Sequence, residues 1–278
     1  MGTTREGAGS GSFALTRGND CRSWRGFARF MARLSLGLAI GSLAAGLTSV
    51  SAGASTIKSN KAYAKAQLLK LSDLPVAYTK SGDLWVGTSD SSDSVSMFTM
   101  TQIPDFATCL GKPPALSVVA AEANSPDFLS KDGNTDVFDV QDVYTSANEA
   151  KSDFPPLSDP KFAQCFVQVQ GPGIVSTDKT NWPSGSTFGT PVASVSHQQK
   201  YGDQSGLVEV QVPVTLPNGQ GTSNDFMVGL VIRQGRSVAE LLIDQGDTTP
   251  SAALTHSLAE KLVAKMKAKP PGNTIIAA

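Results

Sequence analysis

The sequence predicts an α+β fold, with an antiparallel sheet and helices packed mainly on one of its faces. Valines occupy every second position from Val208 to Val214, the period of a strand that buries one face. Two further strand candidates, 225–233 and 238–244, follow across turns and complete a C-terminal meander. Apolar residues then recur every four positions from Leu254 to Met266, which predicts a closing amphipathic helix. The chain lacks the strand–helix alternation typical of a parallel sheet.

Residues 1–54 are typical of a secretory signal peptide and are expected to lie outside the fold. Four arginines between positions 22 and 33 precede an apolar, small-residue run from Leu34 to Val50. Ala52-Gly53-Ala54 then supplies a small-x-small cleavage site. A leader that begins at Met31 is already complete, so translation is expected to start there. The alternative is that this segment stays attached as an N-terminal anchor.

Composition limits what the remaining chain binds. Residues 55–269 are predicted to form one secreted domain, and 270–278 a disordered tail after Pro270-Pro271. The leader holds six of the 23 Lys and Arg and two of the 24 Asp and Glu, so 17 basic face 22 acidic residues afterwards, a net charge of −5. A scattered, acidic charge of this kind excludes the basic surface typical of nucleic-acid or anionic-membrane binding. We expect a monomer that does not insert stably into a membrane once the leader is cleaved.

One short motif occurs twice and contains both cysteines of the predicted domain. Pro104 and Pro160 each open a segment that continues with a variable residue, Phe-Ala, a polar residue and Cys. Proline suits the first turn of a helix, so two short helices are expected. In an exported chain, Cys109 and Cys165 are predicted to form a disulfide. The alternative is two separate buried thiols.

Weaker signals give the order of elements in the first half of the domain. Helix-forming residues from 61 to 71, after a polar lead-in, predict a helix that stops before Pro75. Short strands are expected at 84–86 and 95–101. The apolar run 116–123 fits either a strand or a helix.

The middle of the chain has one strong helix signal. A strand is expected over 137–145, and Ser146 and Glu149 then have the spacing of a capping box, which begins a helix. Two prolines end that helix, and a second one is expected to start at Pro160. Residues 171–189 are predicted to be a long loop.

No catalytic or metal-binding motif is found in the sequence, so we expect a protein without a cofactor that is not an enzyme. His197 and His256 are expected to be ordinary surface or half-buried residues, since neither has a recognisable partner in the sequence. A pair of carboxylates needs only proximity in space, and Asp139, Asp142 and Glu209 are available for a hydrolase of that type. A solvated strand face is the simpler interpretation of these acids.

Aromatic residues near predicted loops are the candidate ligand-binding residues, because such residues can line a cleft for a sugar or an apolar ligand. They are Tyr78, Trp85, Trp182 and Tyr201. The alternative is that they close the edge of a core. Arg233 and Arg236 flank a hairpin tip and could contact an anion, although a solvent-exposed turn is the simpler expectation.

Four features together resemble actinobacterial secreted and lipoprotein domains of the sensor type, which are similar to the extracellular sensor domain of mycobacterial Ser/Thr protein kinases. They are the segment Leu71-Ser72-Asp73-Leu74-Pro75-Val76-Ala77-Tyr78, the Phe106/Cys109 segment, Ser146-Ala147 followed by the Phe162/Cys165 helix, and the Arg233–Arg236 hairpin. The resemblance implies an α/β sandwich, related to the PsbP-like fold, with a cleft proposed to bind an unidentified ligand. The chain departs from that family in having one possible disulfide where two are usual, and Ala77 where glycine is expected.

These observations support three hypotheses about function. The first is a secreted, non-enzymatic, sensor-like protein of the cell envelope that binds a small apolar or glycan ligand, or an envelope protein. The second is a structural or protein–protein interaction protein without a small-molecule site. The third is a carboxylate-dependent hydrolase.

Overall fold

The computed structural model describes residues 50–87, 104–112, 119–196 and 200–268. The predicted strand 95–101, His197, most of the leader and the C-terminal tail lie outside these residues. The helices are α1 Val50–Gln67, α2 Pro104–Cys109, α3 Ala147–Asp153, α4 Phe162–Asn181 and α5 Ala252–Lys267. The strands are β1 Tyr78–Ser81, β2 Trp85–Gly87, β3 Val119–Asn124, β4 Asp127–Ser130, β5 Thr135–Tyr144, β6 Thr187–Phe188, β7 Val192–Ser196, β8 Gln204–Thr215, β9 Thr222–Gln234 and β10 Ser237–Gly246.

The described strands form one antiparallel sheet, which confirms the predicted fold class. Its order is β1-β4-β5-β10-β9-β8-β6, and β7 lies beside β6 on the same flank of β8. The β3 strand runs along the second half of β5 and carries β2 on its outer side. The predicted meander is β8-β9-β10, in register through pairs such as Val210 with Met227 and Leu230 with Leu241.

Helices cover both faces of the sheet, so the expectation that they lie mainly on one face is wrong. On one face, Phe106 of α2 and Phe162 of α4 pack with the valines of β8. On the other face, Leu258 and Leu262 of α5 pack with Leu230. Helices can pack on both faces of the meander because β9 and β10 carry apolar side chains on both sides. In β9, Met227 and Val231 pack in the cluster with α2 and α4. The alternate residues Val228, Leu230 and Ile232 pack in the cluster with α5.

The α1 helix begins at Val50, well before the predicted start at residue 61, and spans the cleavage site predicted at Ala54. The expected polar lead-in 55–60 is therefore helical. Arg236 explains part of this, since its Nη2 donates to Asn60 Oδ1 at 2.9 Å and its guanidinium lies 5.5 Å from the Tyr63 ring centre. Tertiary contacts extend a helix beyond what local propensity predicts.

The α4 helix runs on to Asn181, where the sequence predicted a loop over 171–189. It continues through Gly171-Pro172-Gly173, which has poor helix propensity. Ile174 follows that segment and is buried in the same cluster as Phe166, so packing outweighs propensity here. The capping box is confirmed, with Glu149 N donating to Ser146 Oγ at 3.2 Å.

Candidate functional site

The predicted disulfide is confirmed. Cys109 and Cys165 are bonded, with an S–S distance of 2.15 Å and Cα atoms 5.7 Å apart. Beside the bond, the Phe106 ring meets the Phe162 ring edge-to-face at a centroid distance of 5.0 Å. The repeated motif therefore joins α2 to α4 through one sulfur–sulfur bond and one aromatic contact.

The two most buried candidate aromatics lie in different hydrophobic clusters. Trp182 follows α4, is 8% exposed and packs with Val214 and Leu216, while its Nε1 donates to Asp225 Oδ2 at 3.2 Å. Tyr201 is 9% exposed and packs in the cluster beneath α5. Both side chains close edges of the core, so the structure does not bring them together in one cleft.

The other two candidate aromatics belong to edge strands. Tyr78 opens β1 and packs against the cluster beneath α5, and its burial raises the pKa of its phenol. Trp85 opens β2, where its ring lies over Gly87 and leaves no room for a side chain there. The structure thus places Tyr78 and Tyr201 at the same cluster beneath α5, and puts Trp85 and Trp182 elsewhere.

His256 has partners that sequence reasoning missed. Its Nδ1 lies 2.8 Å from the Tyr201 hydroxyl, and its Nε2 lies 3.5 Å from Glu260 Oε1 one helical turn later. Burial raises the pKa of Tyr201 above its ordinary value. The spacing of His256 and Glu260 on α5 was visible in the sequence, whereas the contact with Tyr201 spans 55 residues and was not.

The acids proposed as a hydrolytic pair point to opposite faces of β5. Asp139 and Asp142 are both 0% exposed, so the interpretation of these residues as a solvated strand face is wrong. Their separation by three residues places them on opposite sides of the strand. Glu209 lies on β8, half-buried and paired with Val228. This arrangement offers no support for two carboxylates acting on one substrate.

Asp139 is held in a polar cluster between the sheet and α1. Its Oδ1 accepts from Leu69 N at 3.1 Å, and its Oδ2 accepts from Gln141 Nε2 at 3.2 Å. Burial raises the pKa of this carboxyl to about 6, although these hydrogen bonds, one from Ser125 and the charge of Lys265 act in the opposite direction. Asp139 therefore ties the end of α1 to the centre of the sheet.

Further acids are buried on the opposite face, close to α3. Glu122 pairs in register with Asp142, and Glu240 lies on the adjoining strand. The Tyr144 hydroxyl donates to Asp153 Oδ2 at 2.7 Å. Burial and these neighbouring carboxylates raise the Tyr144 pKa well above its ordinary value. Within the described ranges, no group of three or more His, Cys, Asp or Glu side chains is arranged to hold a metal ion.

Arg233 and Arg236 make internal contacts at the tip of the β9–β10 hairpin. Arg233 Nη1 lies 3.3 Å from Asp203 Oδ2, and Arg236 Nη1 donates to the Tyr144 carbonyl at 3.0 Å. Both side chains are only half-buried, but their guanidinium groups already have acceptors. They act as ties between elements rather than as the exposed turn that was expected.

A groove with one apolar and one polar wall lies beside this hairpin. We call it the proline groove. Residues 154–158 line one side, and Lys200, Asp203, Gln204 and Ser205 line the other. The groove is open to solvent and has a volume of about 400 Å³. The apolar wall begins with Phe154 and the two prolines that end α3. Its fifth residue, Ser158, is exposed at the rim.

Leu157 fixes the position of the apolar wall by packing on Gly206. A Cβ atom at position 206 would overlap Leu157 Cδ1, so only glycine leaves this space. The Leu157 amide also donates to the Pro155 carbonyl at 2.8 Å, which holds the turn in place. The apolar wall thus packs against the start of β8 through the contact of the Leu157 side chain with the Gly206 backbone.

This groove was not predicted from the sequence. Pro155-Pro156 was interpreted only as a helix break, and residues 200–205 carry no binding motif. The contact of Leu157 with Gly206 joins segments 49 positions apart, and such a pairing leaves no local signal in the sequence. The predicted break after α3 was the one sequence signal in this region.

Comparisons with known proteins give one weak resemblance. No protein-family model matches the sequence, and no curated protein matches it. Among solved structures, the chain is similar to the extracellular domain of PknH from Mycobacterium tuberculosis, with 12% identity, a TM-score of 0.39, and coverage of 74% of this chain and 95% of that one. In the described part of the chain, no helix is long and apolar enough to cross a membrane.

Proposed function

We propose that the chain is a non-enzymatic, sensor-like ligand-binding protein of an extracytoplasmic compartment, and that its ligand occupies the proline groove. The observation that carries this proposal is the groove itself, whose two walls differ in polarity. Ligand sites combine an apolar surface with a few placed polar groups and usually measure roughly 300–1,000 Å³. A volume of about 400 Å³ fits a small molecule.

The disulfide supports the proposed compartment. Cysteines are kept reduced in the cytosol, whereas secreted and envelope proteins retain their disulfides. The Cys109–Cys165 bond closes a loop that includes the whole apolar wall of the groove, residues 154–158. An oxidising compartment therefore stabilises the same segment that we assign to ligand binding.

Native mass spectrometry of protein purified gently from its own host tests the proposal. The wild-type protein is expected to carry a reproducible additional mass. The variant Ser158→Trp is expected to lose it, because the indole would fill the groove from an exposed rim position without needing burial. The matched control is Ser184→Trp, also exposed, in the turn before β6 at the other end of β8.

Two outcomes contradict the proposal. A clean mass for the wild-type protein would favour the alternative of an interaction protein without a small-molecule site. An additional mass that Ser158→Trp retains would place the ligand outside the proline groove. Retention in Ser184→Trp together with loss in Ser158→Trp supports it.

A further inference from the structure

Hydrogen bonds within the protein already engage the side-chain acceptors on the polar wall of the proline groove. Asp203 Oδ2 accepts from Gly235 N at 2.8 Å and faces Arg233 Nη1 at 3.3 Å. Gln204 Oε1 accepts from Arg233 Nε. Ser205 Oγ accepts from Tyr201 N at 2.8 Å.

The hydrogen-bond donors on the same wall, in contrast, have no acceptor among the described residues. Gln204 Nε2 and the Ser205 hydroxyl hydrogen have no protein acceptor there, since the recorded bonds of both side chains are to donors. Lys200 adds an exposed ammonium group to this wall, and no ion pair with a described carboxylate involves it. The Asp203 charge is offset by Arg233, and Lys200, Gln204 and Ser205 add one cation and two donors to the wall.

We infer that the proline groove binds an amphiphile with a carboxylate head group, seated on Lys200, Gln204 and Ser205, with its hydrocarbon chain along Phe154, Pro156 and Leu157. This inference rests on the proposed function, since it names the ligand class of the same groove. A carboxylate has only acceptors, so it satisfies three donors at once, and charge-assisted hydrogen bonds are the stronger kind. A cationic head group would meet donors and a like charge, and a neutral alcohol would satisfy them less completely.

The apolar wall of the groove can contact the hydrocarbon chain of such a ligand. Phe154, Pro156 and Leu157 present carbon atoms on one side of the groove. Each methylene group that leaves water for such a surface contributes about 0.8 kcal/mol, so chain length tunes affinity while the head group selects the ligand. Because the groove is small, at about 400 Å³, the ligand is a free monocarboxylate with a single chain.

Titration calorimetry with decanoate, kept below its micelle concentration, tests the inference. The matched probe is 1-decanol, which has the same chain and no charge. Decanoate is expected to bind at one site and 1-decanol at least about tenfold more weakly, as expected for the loss of one charge-assisted interaction.

Two variants test the polar wall. Lys200→Gln is expected to weaken decanoate binding about tenfold and to leave 1-decanol binding unchanged. Gln204→Glu keeps the acceptor for Arg233 but replaces the free donor with a negative charge, so it is expected to weaken decanoate binding still more. Lys80→Gln, at an exposed position on β1, is the control and is expected to bind like the wild type.

The inference is overturned if 1-decanol binds as well as decanoate, if Lys200→Gln has no effect, or if Ser158→Trp still binds decanoate. These failures are distinguishable from failure of the proposed function. When the host-derived mass disappears in Ser158→Trp but decanoate does not bind, the groove is a ligand site and the carboxylate assignment alone is wrong. When no host-derived mass is found and decanoate binding survives Ser158→Trp, both are wrong.

Discussion

At the scale of single residues, Asp139 has an environment far from that of an exposed carboxyl. It is fully buried, yet hydrogen bonds from Leu69, Gln141 and Ser125 and the nearby charge of Lys265 on α5 all favour its ionised form. The Lys265 ammonium also forms an ion pair with Asp73 at 2.9 Å, which weakens its effect on the Asp139 carboxyl. Burial therefore outweighs the favourable partners, and the Asp139 pKa rises to about 6.

This raised pKa predicts a pH-dependent stability. The folded protein binds the Asp139 proton more tightly than the unfolded chain, so the stability it contributes is full below about pH 4 and is lost as pH rises through about 6. The difference is about 3 kcal/mol in the free energy of unfolding. Between about pH 4 and about pH 7.5, the wild-type protein is expected to lose about 2.5 kcal/mol more unfolding free energy than Asp139→Asn loses, measured by urea denaturation.

The asparagine should fit because Gln141 can adapt. Gln141 Oε1 has no hydrogen-bond partner, so a rotated Gln141 amide can accept from the introduced amide group while Leu69 N keeps its acceptor. Asp83→Asn, at an exposed position, controls for the loss of one charge. Identical pH profiles for Asp139→Asn and the wild type would contradict the prediction.

At the scale of elements, α4 contains a replaceable weak point. Pro172 is exposed inside the helix, where its missing N–H and its ring disfavour the regular hydrogen-bond pattern. Pro172→Ala is expected to raise the free energy of unfolding by about 1–2 kcal/mol, after allowing for the greater freedom of the unfolded chain. The midpoint of urea denaturation measures it.

Pro183→Ala is the matched control, because Pro183 is exposed and lies just after the helix. Its effect is expected to stay within about 0.5 kcal/mol. A destabilising Pro172→Ala would mean that residues 171–173 are not helical, as the sequence first predicted.

Elements with strong local signals were predictable, and those that depend on distant contacts were not. The valine alternation of β8 and the leucine stripe of α5 have the periods of their elements, so their burial was expected. The part of α1 before residue 61 and the stretch of α4 around Pro172 have weak local helix signals. Distant contacts are found in both, between Arg236 and Asn60 in α1 and between Ile174 and the buried cluster in α4. The packing of helices on both faces of the sheet was also not predictable, because a strand with two apolar faces shows no clear alternation of apolar and polar residues.

At the scale of the whole molecule, one covalent bond closes a loop between cysteines 56 positions apart. A double variant, Cys109→Ala with Cys165→Ala, is expected to lose about 4 kcal/mol of unfolding free energy in the chain-entropy description. Reductant should lower the wild-type stability by a similar amount and leave the double variant unchanged. Intact-mass measurement on the unreduced wild type checks the premise, and two free thiols there would contradict it.

The candidate site was less predictable than the fold for a reason that applies to the whole chain. The sequence pointed to aromatic residues, since these are the usual lining of ligand sites. Trp182 and Tyr201 instead have partners far away in the chain, the buried Asp225 and the partly exposed His256. The proline groove arises from a turn and a loop that meet only when β8 and α3 are in place, and neither segment shows a binding motif.

The contact between Leu157 and Gly206 has an evolutionary consequence. Because a Cβ at 206 would displace Leu157, which lines the groove, the two positions form a size-matched pair. Homologous chains with alanine or serine at the position of Gly206 are expected to carry a smaller residue in place of Leu157, or to have lost the groove. A collection of homologous sequences would then show these two sites changing together, and that covariation would mark the lineages in which the groove is retained.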